Sequence, residues 1–428
     1  VKIAVVALGK IGLPLAVQFA RKGQQVLGAD IDAETVRKIN NGLEPFPGEY
    51  QLDAALGAVV EQGLLTATTD TTAAVSSAEA VVVVVPLFVD AHGVPDFRAM
   101  DSATQAIGKG LRSGTLVSYE TTLPVGTTRN RFAPLLESTS GLQAGVDFHL
   151  AFSPERVLTG RVFADLRRYP KLVGGFTPAC GEIAQRFYET VLDFDERPEL
   201  PQLNGVWNLG SCEASEMAKL AETTYRDVNI GLANQFAKFA SASNINIYKV
   251  IEACNSQPYS HIHQPGIAVG GHCIPIYPQM YLWNDPKASI VRAAREANWS
   301  MPAHAIDVLE RAHGSLAAQQ VVVLGASYRG GVKETAFSGV FAVVDELKKR
   351  NAHVSVHDPM FTDEELRTLG FAPFNVGQSV DAAVLQADHA EYSNWGRAEL
   401  AGVRTVLNGR RLPLMNLEKS CRVVFIDD

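Results

Sequence analysis

The run Gly270-Gly271-His272-Cys273-Ile274-Pro275 sets a thiol just after two glycines and shortly before a proline. Glycine opens backbone conformations closed to other residues, and proline fixes the chain leaving the turn. A thiol on such a turn meets a ligand closely and can attack an aldehyde or ester carbon. A lone cysteine is more commonly a small buried hydrophobe. Other stretches change that balance. Ser153-Pro154-Glu155-Arg156 offers a carboxylate and a guanidinium just past an apolar run. Read alone, Glu155 and Arg156 suit a solvated ion pair equally well. The stretch Glu120-Thr121-Thr122-Leu123-Pro124-Val125-Gly126-Thr127-Thr128 gathers hydroxyls around a Pro–Gly turn, where helix capping is the plainer role. Lys219 lies among Met217, Ala218, Leu220 and Ala221, so it either snorkels to solvent or faces a developing anion.

These groups need a scaffold, and the pattern supplies one. Residues 2–8 form a β-branched run without alternation, as in a strand buried on both faces of a parallel sheet. Gly9 and Gly12 follow, then a helical pattern through Leu13, Leu15, Ala16, Phe19 and Ala20, then a strand over 25–30 ending in Asp30. Strand, glycine turn, helix, strand and acid is the layout of a dinucleotide fold. Gly9 lets the backbone approach a pyrophosphate, Gly12 lets helix and strand pack closely, and the helix N-terminus offers N–H donors. Asp30 suits ribose hydroxyls and repels a 2′-phosphate, which points to NAD. Ala7 stands where the first fingerprint glycine is usual. Lys10 and Ile11 in the turn, with Pro86, Thr121 and Thr122 in later loops, complete the candidate cofactor set.

Further strands are expected at 80–86, 115–121 and 148–154, with carboxyl-end loops lining the cofactor crevice. Residues 211–242 read as one long helix with Gly231 its weak point. On it Lys219, Thr223 and either Arg226 or Asp227 share a face that Ile230 and Asn234 extend. A second helical stretch covers 290–309. Strands at 319–325, 351–359, 382–387, 403–407 and 422–426 suggest a second parallel sheet without a dinucleotide fingerprint. That half suits another phosphate-bearing ligand, with Arg329 and Arg410 as local cations. The expected class is therefore α/β, with two Rossmann-like doubly wound sheets joined by a long helical region. The expected domains are 1–200 for NAD, 201–313 for the central helices, and 314–428 for the second ligand.

Composition narrows the class. The chain has 428 residues, 46% of them hydrophobic, and a net charge of −8, which disfavours a general nucleic-acid surface. Five scattered cysteines without a CxxC pair argue for a reducing compartment and against disulfides or a zinc site. No metal is expected. The longest apolar run, 80–89, is too short for a membrane span. No membrane association and a cytoplasmic location are the expectation.

In order, these features resemble the UDP-glucose/GDP-mannose dehydrogenase family, the nucleotide-sugar 6-dehydrogenases. The resemblance covers the Gly9/Gly12 turn with Asp30, the 120–128 loop, Ser153–Arg156, and the lysine helix with Thr224-Tyr225-Arg226-Asp227-Val228-Asn229 and Asn234. It continues through Gly270–Pro275, then Arg295, Asn298, Met301 and Pro302, then Leu324-Gly325-Ala326-Ser327-Tyr328-Arg329, and His357-Asp358-Pro359. It implies a four-electron oxidation of a sugar C6 hydroxymethyl to the carboxylate, with NAD as acceptor. It implies that Cys273 forms a thiohemiacetal and then a thioester, and that Lys219 holds the C6 oxyanion. Glu155 would activate the hydrolytic water, and Thr122 would position water or sugar. Arg156, Lys219, Asn234, Gly270, Gly271, Tyr328, Arg329 and Arg410 are the implied substrate contacts. Ser153-Pro154-Glu155-Arg156 and His272-Cys273-Ile274-Pro275-Ile276 resemble the UDP-N-acetylhexosamine branch. UDP-glucose enzymes carry Asn-Pro-Glu-Phe and a lysine at the position of Ile276. A homodimer is expected.

The chain departs from the family pattern at Ala7, Thr223, Tyr277, Ala336 and Gly339, where glycine, asparagine, aspartate, arginine and proline are usual. Thr223 and Tyr277 flank the implied chemistry, so a slow enzyme is the expectation. The alternatives are a UDP-glucose 6-dehydrogenase, or a catalytically impaired relative that acts as a nucleotide-sugar-binding or oligomer partner. A two-electron β-hydroxyacid dehydrogenase is a remoter reading; it would yield one NADH per substrate rather than two.

Overall fold

A computed structural model describes residues 1–90 and 93–428, folded as two compact units, Val1–Glu222 and Thr223–Asp428. The boundary falls inside one continuous helix, Cys212–Ser243.

The first unit is built on β1 (Lys2–Val6), β2 (Gln25–Ala29), β3 (Leu65–Thr68) and β4 (Ala80–Val83). A small hairpin, β5 (Phe88–Val89) with β6 (Pro95–Asp96), follows. Then come β7 (Leu116–Tyr119), β8 (His149–Phe152), β9 (Lys171–Gly175) and β10 (Val206–Ser211). Eight strands form one sheet in the order β10-β9-β8-β7-β4-β1-β2-β3. The apolar runs of β1, β4 and β7 are buried on both faces because helices cover the sheet twice. The first helix, Gly12–Arg21, is buried except at its last residue, and its Phe19 meets Phe187 edge to face. The core joins Ile3, Val5, Leu13, Phe19, Val82 and Tyr188.

Six of these strands run parallel, as the β-branched runs suggest. The last two do not: β8 pairs with β9 antiparallel, through Ala151 with Gly175 and Phe152 with Gly174. The segment between them therefore begins and ends at the carboxyl end of β8. Lys171, the first residue of β9, thereby lies at the same sheet edge as the loops after β7 and β8.

The second unit holds β11 (Gln320–Leu324), β12 (His353–His357), β13 (Ala382–Leu385), β14 (Thr405–Asn408) and β15 (Arg422–Val424). They form a parallel sheet ordered β12-β11-β13-β14-β15. Helices Met301–His313 and Val340–Lys349 contribute Ile306, Leu309, Val343 and Leu347 to its core. The helix expected over 290–309 is two helices, Ser289–Trp299 and Met301–His313, interrupted at Ser300. Pro302 explains the break: it lacks the N–H that a continuous helix needs, and it is well placed in the first turn of a new one. Most strands stop before their expected ends, as β4 stops before Pro86 and β12 before Pro359, because those residues leave the ladder as loops. No helix among the described residues is long and apolar enough to cross a membrane.

Candidate active site

The dinucleotide turn is tightly built. Ala7 has φ +73°, a left-handed conformation that suits glycine, and its N–H donates to Ala29 O at 2.8 Å. Leu8 N–H donates to Asp30 Oδ2 at 2.7 Å, and Asp32 N–H to Oδ1 at 2.9 Å. A Cβ on Gly12 would overlap the Ala7 carbonyl, whereas one on Gly9 would meet nothing within 4 Å. Gly12 is thus required by packing, and Gly9 borders open space. Asp30 is half-buried, and each oxygen keeps an acceptor position beyond its backbone bond. These residues fit a dinucleotide: space at Gly9, helix N–H groups behind it, and a carboxylate at the end of β2. Lys10 is exposed and Ile11 half-buried at the helix start. Pro86 is exposed, and Thr121 Oγ1 donates to Val85 O at 2.7 Å, tying together the loops after β7 and β4. Thr122 is buried.

Glu155 does not form the solvated pair with Arg156 that its sequence neighbour suggests. Lys171 Nζ lies 2.8 Å from Glu155 Oε2 and 2.6 Å from Glu120 Oε2. The Arg156 backbone N–H donates to Glu155 Oε1 at 2.7 Å, while its guanidinium pairs with Glu222 at 3.0 Å and donates to Pro170 O at 3.3 Å. Tyr188 O–H donates to Glu120 Oε1 at 2.7 Å, and Ser118 Oγ lies 2.8 Å from the same hydroxyl. Burial pushes the Glu120 carboxyl up to about 7 despite Lys171. Burial also opposes ionisation of Glu155, but Lys171 and the Arg156 N–H more than reverse it, holding Glu155 below the usual carboxylate range. Sequence reading missed Lys171. Its signal is a lysine opening an otherwise apolar strand, Lys171-Leu172-Val173-Gly174-Gly175.

On the long helix, Lys219 and Thr223 are buried one turn apart. Of the two alternatives at the next turn, Asp227 is buried and Arg226 exposed. Glu216, one turn before Lys219, escaped sequence reading. It accepts from Gly126 N–H at 2.6 Å, Thr128 N–H at 2.9 Å and Thr128 Oγ1 at 2.7 Å. The Thr128 hydroxyl therefore serves this carboxylate instead of capping a helix. The bonds anchor a π-helical turn, Thr128–Phe132, to the lysine helix. Burial raises Glu216 to about 7 against those bonds.

In the second unit, Asp227 pairs with Arg295 at 3.1 Å and accepts from Asn298 at 2.7 Å. Asn234, expected at the substrate, is fully buried. Its amide donates to Asn298 Oδ1 at 2.8 Å and accepts from Gly266 N–H at 3.0 Å, so it braces the loop leading to the cysteine.

Cys273 is exposed, unlike the other four cysteines, which are buried or half-buried. Gly271 has φ +89° and donates its N–H to Ala336 O at 2.9 Å. A Cβ on Gly270 would lie 2.6 Å from the Tyr328 Cβ and 2.8 Å from Phe337 O, and one on Gly271 would lie 3.1 Å from the Tyr328 ring. Both glycines thus admit Tyr328 against the turn. The Cys273 carbonyl accepts from Tyr277 N–H at 3.0 Å, which sets Tyr277 at the start of the helix Tyr277–Asn284. His272 Nε2 lies 3.3 Å from Glu334. Arg410 donates to Tyr328 O at 3.0 Å and Gln386 O at 2.7 Å. Arg329 is exposed and bonds the Tyr328 hydroxyl at 3.2 Å. Gly270, Gly271, Tyr328 and Arg410 are thus brought together. Gly339, where the family has proline, packs so that a Cβ would overlap that of Ala268.

The chain matches the UDP-glucose/GDP-mannose dehydrogenase family in its NAD binding domain over residues 1–192. The central domain matches over residues 213–300 and the UDP binding domain over residues 322–412. It is 35% identical over 405 residues to UDP-N-acetyl-D-mannosamine dehydrogenase of Pyrococcus horikoshii, covering 92% of this chain and 91% of that one. It is 32% identical to NDP-N-acetyl-D-galactosaminuronic acid dehydrogenase of Ralstonia nicotianae, over 91% of each chain. A solved structure of the UDP-D-ManNAc dehydrogenase from Pyrococcus horikoshii superposes with a TM-score of 0.86 at 30% identity, covering 100% of this chain and 99% of that one.

Proposed function

Because the chain belongs to the UDP-glucose/GDP-mannose dehydrogenase family of NAD-dependent oxidoreductases, we propose that it oxidises the C6 hydroxymethyl of a UDP-N-acetylhexosamine to the carboxylate. The observation that carries this reading is the one exposed thiol, Cys273, on a turn shaped by two glycines. The Gly9–Gly12 turn and Asp30 would hold NAD, which when bound would supply the hydride acceptor for C6. In this reading Cys273 adds to the C6 aldehyde, holding it as a thiohemiacetal, and is acylated when that adduct is oxidised. Covalent capture lets one site carry two oxidations without releasing an aldehyde. Lys219 stabilises the C6 oxygen, an interaction typically worth a few kcal/mol. Glu155 takes a proton from the water that releases the acid, and Thr122 positions that water.

The same reading has three parts: an NAD domain over 1–200, a helical region over 201–313, and a UDP-sugar domain over 314–428. Gly270, Gly271, Tyr328, Arg329 and Arg410 contact the nucleotide sugar, with Arg156 toward the sugar. Ile276 supports the N-acetylhexosamine assignment: it is buried and apolar where UDP-glucose enzymes carry a lysine. The names of the two relatives above point the same way. A homodimer is supported by the long helix, which exposes Tyr225, Leu232, Phe236 and Phe239 along one face.

A panel of UDP-sugars with NAD, read at the NADH absorbance band, tests the proposal. The expected result is two NADH per UDP-N-acetylhexosamine and a lower kcat/KM for UDP-glucose. A preference for UDP-glucose overturns the substrate, and one NADH per sugar overturns the four-electron reaction. The same assay tests the departures at Thr223 and Tyr277. Restoring the family pair with Thr223→Asn and Tyr277→Asp is expected to raise kcat; an unchanged or lower kcat would make them adaptations.

A further inference from the structure

We propose that Glu155, Lys171 and Glu120 form a buried proton relay in which the proton taken from the hydrolytic water ends on Glu120. The proposal rests on the reading of Glu155 as the group that activates that water. Lys171 and Glu120 act through Glu155 and touch no reacting atom.

The geometry is that of a three-member chain. Glu155 stands at the outer end, with its side chain 11% exposed, and Glu120 at the inner end, at 0%. Lys171 spans them with bonds of 2.8 and 2.6 Å from a single ammonium. The inner oxygen of Glu120 is closed by the Tyr188 hydroxyl, itself paired with Ser118. The Lys171 ammonium also lies 5.0 Å from the centre of the Tyr188 ring. Glu155, Lys171 and Tyr188 are thus the titratable groups that face Glu120, from the loop after β8, from β9 and from the helix Pro178–Val191. Two carboxylates share one cation, so the cluster carries one surplus negative charge. Buried surplus charge is costly and is relieved by a proton. Burial makes Glu120 the member that accepts it near neutrality, while Glu155 stays ionised.

The step balances. The water oxygen bonds to the thioester carbon, one water proton passes to Glu155, and the carbon–sulfur bond breaks with the electron pair leaving on the Cys273 thiolate. Lys171 then gives one of its protons to Glu120 and, as the amine so formed, takes the proton from Glu155. Glu155 is a carboxylate again, Lys171 remains an ammonium, and Glu120 is a neutral acid. After the product leaves, the proton returns outward by the same path to solvent at Glu155. No oxidant or co-reactant is consumed.

The test follows the Cys273 acyl adduct by quenched intact-protein mass spectrometry in a single turnover with UDP-N-acetylmannosamine and NAD, across pH. In the parent, loss of the adduct is expected to slow as pH falls through about 7, where Glu120 is already protonated. Glu120→Gln keeps the shape and the Tyr188 bond but takes no proton. It is expected to form the adduct and its two NADH at the parent rate, to lose the adduct about 100-fold more slowly, and to lack the limb near neutrality. Lys171→Arg keeps the cation but does not release a proton, so it is expected to behave likewise. Adduct loss at the parent rate and with the parent pH profile in either variant overturns the relay. Glu155→Gln separates this from failure of the underlying reading. If Glu155→Gln hydrolyses at the parent rate, Glu155 is not the water-activating group. If it is slow while Glu120→Gln is not, only the relay is wrong.

Discussion

The two units open on the same device and close it differently. In each, the residue after the first strand is left-handed, Ala7 at φ +73° after β1 and Gly325 at φ +102° after β11. In each, its N–H reaches the neighbouring strand, at Ala29 O and His357 O. In each, an acid at the end of that neighbour holds the next N–H: Asp30 takes Leu8, and Asp358 takes Ala326 and Ser327. Beyond this point they diverge. In the first unit a helix begins at Gly12, immediately over the turn, and Asp30 stays half-buried with acceptor capacity to spare. In the second the helix begins only at Val340, the intervening loop brings Tyr328 against the cysteine turn, and Asp358 is buried against His389 at 3.1 Å. A short turn with an open acid suits a dinucleotide. A long loop with a closed acid serves the loop itself.

The largest expected effect comes from breaking the first unit's close approach. Gly12→Ala forces a methyl into the Ala7 carbonyl and is expected to cost about 3 kcal/mol and to abolish NAD binding. Chemical denaturation and cofactor titration measure both; parent-like values would mean that the helix does not need that contact. Next is Gly325→Ala, expected to cost about 2 kcal/mol, because the position is left-handed and its Cβ would press on Ala387. Ala7 shows that the backbone alone tolerates a side chain, so a loss below about 1 kcal/mol would remove packing against Ala387 as the reason for glycine.

The closed acid carries a pH signature. Burial opposes ionisation of Asp358, but His389 and the Ser327 and Met360 N–H groups reverse it and hold its carboxyl below the usual range. A depressed folded-state pKa gives stability that is complete above the unfolded value near ~4 and lost as pH falls through the folded one. Asp358→Asn is expected to cost about 1–3 kcal/mol at neutral pH, with the gap to the parent shrinking below pH about 4. A gap that stays constant into acid would assign the loss to packing. The smallest effect is Ala7→Gly. Relief of a left-handed alanine is worth about 1 kcal/mol and is partly offset by glycine's chain entropy, so melting should shift upward only slightly. A clear fall would show that the alanine methyl itself packs.

Both halves were legible as alternating apolar runs and turns, and so were Gly9, Gly12, Asp30 and the Cys273 turn, because local spacing encodes them. What escaped depends on contacts far along the chain. Lys171 reaches Glu120 and Glu155 because β9 runs antiparallel to β8, and nothing in residues 171–175 states a direction. Arg156 pairs with Glu222 across 66 residues, so its neighbour Glu155 misled. Glu216 looked like one more polar residue on a helix until the loop at Gly126–Thr128 came to it. Asn234 was legible as important, but as a brace for Gly266 its amide is already engaged.

The central claim is that Cys273 captures the sugar covalently, and Cys273→Ala tests it most directly. With NAD and UDP-N-acetylmannosamine, the account predicts no uronate by mass spectrometry of the products, while calorimetry shows UDP-sugar binding close to the parent's. Uronate formed by this variant at a rate near the parent's would contradict it.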